Sequence, residues 1–396
     1  MPLLRTVPIA LALLSTLIGG TAEAEGWSAV EQAARGERVE MDFVGGEAAR
    51  NYFNWAAGEI ERLYGVVLVA RPVTSLDEAA RRVEDAGAEG PDLVSTGGGS
   101  FHRLLDGNRL APPFARRLPN WRLVDTARQP AALMDATRLT DGREVPTGAT
   151  RLVFLADTAR DPAPAGGLPS SLEALQLQAQ VRPGSMPFPS PDDPAGLLFL
   201  QQVLFMTAPE PSILWRPAGE SDVAATTAAL WAWLDTLHAT SWREGTEQPD
   251  GPAQIGLLRE GAIAVAIATD PGTAAGVIAR GTLPASVASF ALEGGTIGGA
   301  NYLAIPAASD TKDGAMVVAN FLLSPEAQVR KADPAIWGEP TILAPERLAP
   351  AFRERLAAFG EAAGQPDGPG MNLVIQPLHP SWTAPLRAEW QRRYGG

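Results

Sequence analysis

Apolar and polar positions along the first hundred residues alternate between two periods. Residues 38–44 (RVEMDFV) carry a strand-like run that ends at Gly45-Gly46. From 47 to 64 the period lengthens: Tyr52, Ala56, Ile60 and Leu63 fall at helical spacing, and Gly65 stands where a C-terminal cap belongs. Val66 to Ala70 is a β-branched run and reads as a second strand. Ser75 is placed to cap a helix over 76–86, and a third strand, 93–95, runs into Gly97-Gly98-Gly99-Ser100. Strand and helix in strict alternation predict an open, mainly parallel α/β sheet.

Further along, residues 150–156 (TRLVFLA) read as a strand, and a Pro-, Ala- and Gly-rich stretch, 161–169, marks passage into a second domain. Helices are expected over 195–206, with Pro194 near the first turn, and over 221–240, where Leu230, Trp231, Leu234 and Leu237 form a core-facing stripe. His238 on that helix reads as structural. Residues 254–268 read as a short helix and then a strand. Small residues around Gly294–Ala300 precede Asn301-Tyr302 and a strand over 303–306. A helix over 312–323 is followed by Ser324-Pro325-Glu326, which restarts a helix with serine as cap.

The extreme N-terminus has a different character. In MPLLRTVPIALALLSTLIGGTAEA, Arg5 precedes an apolar run from Val7 to Ile18, and Ala22-Glu23-Ala24 fits a small-x-small cleavage pattern. The run is shorter than the roughly 20 residues a membrane-spanning helix needs. Cleavage after Ala24 and a periplasmic location are expected.

Composition narrows the chemistry. A chain of 396 residues suits two domains, and 45% hydrophobic against 19% charged residues supplies sizeable cores. The formal net charge of −13 repels phosphate backbones, so nucleic acid is not an expected partner. Cysteine is absent, which removes disulfides and thiolate nucleophiles, and three histidines without ligand spacing make no metal cluster. Neither GxGxxG nor GxxxxGK[ST] occurs, and no GxSxG elbow marks a hydrolase. No cofactor is expected.

In open α/β sheets, ligands collect outside the carboxyl ends of the strands. Gly45-Gly46 and Gly97-Gly98-Gly99 occupy those ends; they serve either close approach of a ligand or tight turns alone.

The late segment Asn301-Tyr302-Leu303-Ala304-Ile305-Pro306, then Ala315–Leu323, Ser324-Pro325-Glu326-Ala327-Gln328 and the turn Gly338-Glu339-Pro340, resembles bacterial extracellular solute-binding proteins of ABC importers. The branch it is most similar to is the YnjB-like one, near the thiamine, polyamine and iron binders. Gly45-Gly46 with Asn51 and Trp55, the Phe188–Asp193 loop, Gly196–Leu200, and the ending Ser381-Trp382, Trp390 and Arg393-Tyr394-Gly395 agree with it. Gly97–Phe101 departs from it, reading Gly-Gly-Gly-Ser-Phe where Asn, Gly and Glu are expected before Phe.

The resemblance implies a periplasmic binding protein-like type II fold: two α/β lobes, each with a mixed, mainly parallel sheet flanked by helices, joined by crossing strands around a ligand cleft. It implies no enzymatic activity, closure by a hinge, and a permease in the inner membrane that reads the closed, monomeric form. The expected division is a signal peptide at 1–24, lobe one from 25 to 150, lobe two from 151 to 285, a return crossing over 286–310, and a helical region over 311–396 packing on both lobes.

The cleft residues expected are Gly46, Gly98, Gly99, Ser100 and Phe101 from lobe one; Thr147, Gly148 and Arg151 near the first crossing; Asp192, Trp215 and Asp270 from lobe two; and Asn301 and Tyr302 on the return. Asp192 beside Asp193-Pro194 competes with a capping role, Asp270 before Pro-Gly with a turn, and Trp215 and Tyr302 with packing. Carboxylates and aromatics favour a cationic or aromatic small molecule, thiamine- or polyamine-like; Arg151 and glycine N–H groups favour an oxyanion. The rival readings are an extracytoplasmic hydrolase, a metal-ion receptor and an adhesin.

Overall fold

A computed structural model describes residues 26–160, 167–365 and 369–395. The secretory segment read over 1–24 and most of the 161–169 stretch lie outside them. No described helix is long and apolar enough to cross a membrane.

The first lobe begins with a helix over 26–34 (α1), then β1 (Arg38–Val44), α2 (Glu47–Tyr64), β2 (Val67–Val73), α3 (Leu76–Ala86), β3 (Leu93–Thr96) and α4 (Gly99–Asp106). Local chemistry sets these limits. Gly65 stops α2 in the left-handed conformation, at φ 69°, and the Ser75 hydroxyl accepts from the Glu78 N–H to start α3. On α2 the inward face is Ala49, Tyr52, Phe53, Ala56 and Ile60. Leu63 is 44% exposed, because the next turn presents Tyr64 to the core instead. A two-strand hairpin, β4 (Met134–Asp135) with β5 (Arg138–Leu139), precedes β6 (Glu144–Arg151).

The second lobe holds β7 (Val153–Asp157), α5 (Leu172–Val181), α6 (Pro194–Thr207), α7 (Val223–His238), α8 (Gly251–Glu260), β8 (Val265–Ala268), α9 (Thr273–Ala279) and β9 (Val287–Phe290). Leu230, Leu234 and Leu237 of α7 are fully buried, each worth roughly 1.5–3 kcal/mol. His238 packs its ring on Phe188 and Tyr394. The cap of α6 is Asp193, which accepts from Ala195 and Gly196 N–H; Asp192 stands outside it, exposed.

The chain returns through β10 (Thr296–Ala304), α10 (Lys312–Leu322), α11 (Pro325–Ala332), α12 (Pro350–Gly360), β11 (Val374–Ile375) and α13 (Thr383–Tyr394). The small-residue run before Tyr302 is therefore part of a nine-residue strand, because its backbone pairs with both β6 and β11. Residues 315–348 join the first lobe's core, whereas Ile375, Leu378, Trp382, Leu386 and Trp390 join the second's.

The large sheet is mixed, in the order β11-β10-β3-β1-β2 with β6 also on β10. Pairings β1–β2, β1–β3 and β10–β11 are parallel. The small sheet, β8-β7-β9, departs from the mainly parallel expectation: both its pairings are antiparallel, since β7 enters and β9 leaves the lobe beside one another. The expected single strand over 150–156 is two. At Arg151 the backbone N–H goes to Thr269 O, and at Leu152 to Ile297 O, so the chain exchanges one sheet for the other there.

Candidate functional site

A crevice lies beside that exchange. Its walls are Gln129, Pro130, Ala131, Met134 and Ala136 at the β4–β5 hairpin, Arg151, Gly298, Gly299 and Tyr302 on the crossing strands, and Val374, Gln376 and Pro377 on the C-terminal segment. The enclosed volume, about 20 Å³, is room for roughly one water. A larger solute requires the lobes to part.

Tyr302 is buried, and its hydroxyl donates to Ala131 O at 2.7 Å, with Met134 O at 3.3 Å. It thus fixes the hairpin rather than facing a ligand with a free donor. Burial, reinforced by the nearby Asp135 and Glu144 carboxyls, holds the phenol well above its usual range. Asp135 accepts from the Gly98 N–H at 2.5 Å, yet burial pushes its pKa up to about 7. Glu144 is buried with neither carboxyl oxygen hydrogen-bonded. Burial, then Asp135, raises its pKa well above the usual carboxylate value.

Arg151 is half-buried on this wall. Its Nη1 donates to Met371 O at 2.7 Å, and burial lowers its pKa. It faces Gly298 across the β6–β10 pair, where a Cβ would come within 2.8 Å of the Arg151 Cγ. Only glycine at 298 leaves that stem its place.

A second cluster lies behind the crossing strands. Lys331 on α11 and Glu339 are both buried and meet at 3.2 Å. Lys331 also donates to Thr147 O, Gln328 Nε2 donates to the same carbonyl at 2.8 Å, and Asn301 Nδ2 donates to Glu339 Oε1 at 3.0 Å. The Thr147 hydroxyl donates to Asn301 O at 3.1 Å. A Cβ on Gly148 would sit 1.6 Å from Glu339 Oε1, so that position admits no side chain. Asp270 approaches from the second lobe. Its pKa is raised to about 7 by burial and then by the Glu339 charge, while its Oδ1 accepts from Gly272 N–H at 2.9 Å. Gly272 itself packs backbone to backbone on Gly338.

The expected residues therefore divide. Arg151 and Tyr302 line the crevice; Thr147, Gly148, Asn301 and Asp270 gather at the ion-paired cluster. Gly98, at φ 54°, caps α4 and spends its N–H on Asp135, and Gly99 lies against Pro380. Gly46 is exposed at the end of β1. Ser100 donates to Gly97 O at 2.9 Å and is buried, which leaves no hydroxyl to act as nucleophile or ligand contact. Phe101 is fully buried in the core beneath α4 and turns no face to the crevice. Asp192 sits on the surface, 3.8 Å from Arg387. Trp215 is 38% exposed, tilted against Phe205, with its indole N–H 3.5 Å from Gln376 O.

Sequence reasoning missed Asp135, Glu144, Gln129, Gln376 and the Pro377–His379 segment. That segment is tied to lobe two by His379 N–H to Leu214 O at 2.9 Å, and it meets lobe one where the His379 ring faces His102 at 5.9 Å. Its Gln-Pro-Leu-His-Pro composition was the one available signal, marking an extended, non-helical strap.

Residues 202–329 match the family model described as bacterial extracellular solute-binding protein. The chain is 37% identical to Protein YnjB of Escherichia coli (strain K12) over 393 residues, covering 97% of this chain and 98% of that one. Among solved structures it resembles a putative spermidine/putrescine ABC transporter from Listeria monocytogenes, with TM-score 0.64, 15% identity, and 90% and 99% of the two chains covered. It is similar too to the spermidine/putrescine substrate-binding protein PotD of Streptococcus pneumoniae, with TM-score 0.63, 12% identity, and 91% and 98% covered. The fold is that of type II periplasmic binding proteins. The chain belongs to the bacterial extracellular solute-binding proteins, a non-enzymatic family.

Proposed function

We propose that the protein captures one small solute in the crevice between β6, β10, the β4–β5 hairpin and the 374–377 strap, and presents the closed form to an inner-membrane permease. The single observation that carries this is the strand exchange at Arg151-Leu152: two sheets with separate cores are joined there beside a crevice whose mostly apolar walls carry Gln129, Arg151, Tyr302 and Gln376. Few backbone bonds need change for the lobes to rotate about such a junction, which is how hinge closure works. Export through the leader at 1–24, monomeric action and the lobe limits at 150/151 and 286–310 belong to the same proposal.

The solute's chemistry follows from the walls. A thiamine- or polyamine-like cation calls for ionised carboxylates, but Asp192 is on the surface, Asp270 is at the paired cluster, and burial works against the charged form of Glu144. A metal-ion receptor needs converging donors; among the described residues no three of His, Asp and Glu gather as a ligand set.

Small-angle scattering of the full chain, with and without a panel of amino acids, polyamines, thiamine, oxyanions and sugars, tests the receptor reading. One compound should contract the particle and raise its unfolding temperature, since a ligand held only by the native state stabilises it. A particle indifferent to every compound refutes the receptor reading.

A further inference from the structure

We infer that Arg151 anchors an anionic group of the transported solute, which therefore carries a carboxylate, a phosphate or a similar oxyanion. The inference rests on the receptor reading above and names its substrate class.

The position is the first support. Arg151 is the last residue of β6, at the strand exchange, and it lines the crevice. A charge placed there contacts a solute and both lobes together. The second support is its pairing. The guanidinium has five N–H donors in a planar fork, and among the described residues its one hydrogen bond is to the Met371 carbonyl. Burial lowers its proton affinity. Some first-lobe arginines close on acids, as Arg82 does on Asp42 at 2.6 Å and Arg128 on Asp125 at 3.1 Å, while Arg143, like Arg151, donates to a backbone carbonyl, that of Ala111; Arg151 differs from Arg143 in lining the crevice. A half-buried cation without a counter-ion is costly, and an anion that completes the fork removes that cost.

The surrounding groups do not supply this counter-charge. Neither Glu144 carboxyl oxygen has a hydrogen-bond partner among the described residues, and Asp135 is turned to the Gly98 N–H. The Gln129 and Gln376 amides line the same crevice, and they offer neutral donors and acceptors for the rest of a solute. The protein's net charge of −13 repels anions at a distance, so selection must be made at close range, by the fork.

The test is thermal unfolding of the full chain with succinate, glutamate, inorganic phosphate, sulfate, putrescine, spermidine and thiamine in separate arms. Calorimetric titration of the most stabilising compound into wild type, Arg151→Gln and Arg151→Lys follows. A carboxylate or a phosphate arm should give the largest shift, and which of the two wins identifies the anion. Its Kd should weaken about ten- to a hundredfold in Arg151→Gln, as loss of a charged hydrogen bond implies, and less in Arg151→Lys, which keeps charge without the fork. Stabilisation by putrescine, spermidine or thiamine with none by any anion overturns the inference and leaves the receptor reading standing. So does an anion bound equally by wild type and Arg151→Gln, or by Arg151→Lys should the Gln variant not fold. No shift in any arm, with no contraction in scattering, overturns both.

Discussion

Two polar regions lie on opposite sides of the same crossing strands, and they treat burial differently. Around Lys331 and Glu339 almost every donor meets an acceptor: the ion pair, Asn301, Gln328 and the Thr147 carbonyl form a closed set, sealed by Gly148. On the crevice wall Arg151 spends one donor on a carbonyl, and near Tyr302, Glu144 has no hydrogen-bond partner among the described residues and Asp135 accepts one N–H. A satisfied network fixes geometry; an unsatisfied one keeps capacity for something absent. On the proposed function, the first region is the pivot's anchorage and the second the place of recognition.

The comparison breaks most visibly at Glu339→Gln. That change keeps the side-chain volume but leaves Lys331 buried without its anion, and chemical denaturation should show a loss of about 3–5 kcal/mol. Loss of under 1 kcal/mol would mean that the pair is not the anchor.

A pH series sharpens the contrast. Asp135 rises from 3.8 to about 7 on folding, so the native state holds its proton more tightly than the unfolded chain. Its contribution to stability is therefore full below about pH 4, declines as pH climbs, and levels off above about 7. Asp135→Asn removes that decline, and its stability relative to wild type should rise from pH 4 to pH 7 in urea titrations. A flat difference would place Asp135 in contact with water.

Tyr302→Phe has a smaller effect. Removing the hydroxyl that holds Ala131 O should cost about 1 kcal/mol and loosen amide exchange in the β4–β5 hairpin, with α11 unaffected. Asp192→Ala is the smallest: an exposed acid outside both regions should change stability by less than ~0.5 kcal/mol and leave solute binding untouched.

Much of the fold was legible because it is written locally. The limits 38–44, 47–64 and 76–86 coincide with β1, α2 and α3, and the caps at Gly65, Ser75 and Ser324 act on residues within one turn. Where a reading failed, the deciding contact was distant or rotational. Leu63 lost the core to its neighbour Tyr64 by the last turn's direction, and Asp192 lost the cap to Asp193 by one residue. Ser100 and Phe101 were sought as ligand contacts because they follow glycines; the first satisfies its own turn and the second fills the core.

The sequence by itself determined which segments are strands and helices, the absence of thiol chemistry, and, through the ordered motifs from Asn301 to Pro340, the family. Only the tertiary structure decided which of the polar residues share a site. Thr147 and Lys331 are 184 positions apart and Arg151 and Met371 are 220 apart, and no local propensity encodes such a meeting. It is set by how the strands of two sheets exchange partners, an exchange that pairs buried Lys331 with Glu339 and leaves half-buried Arg151 on a backbone carbonyl.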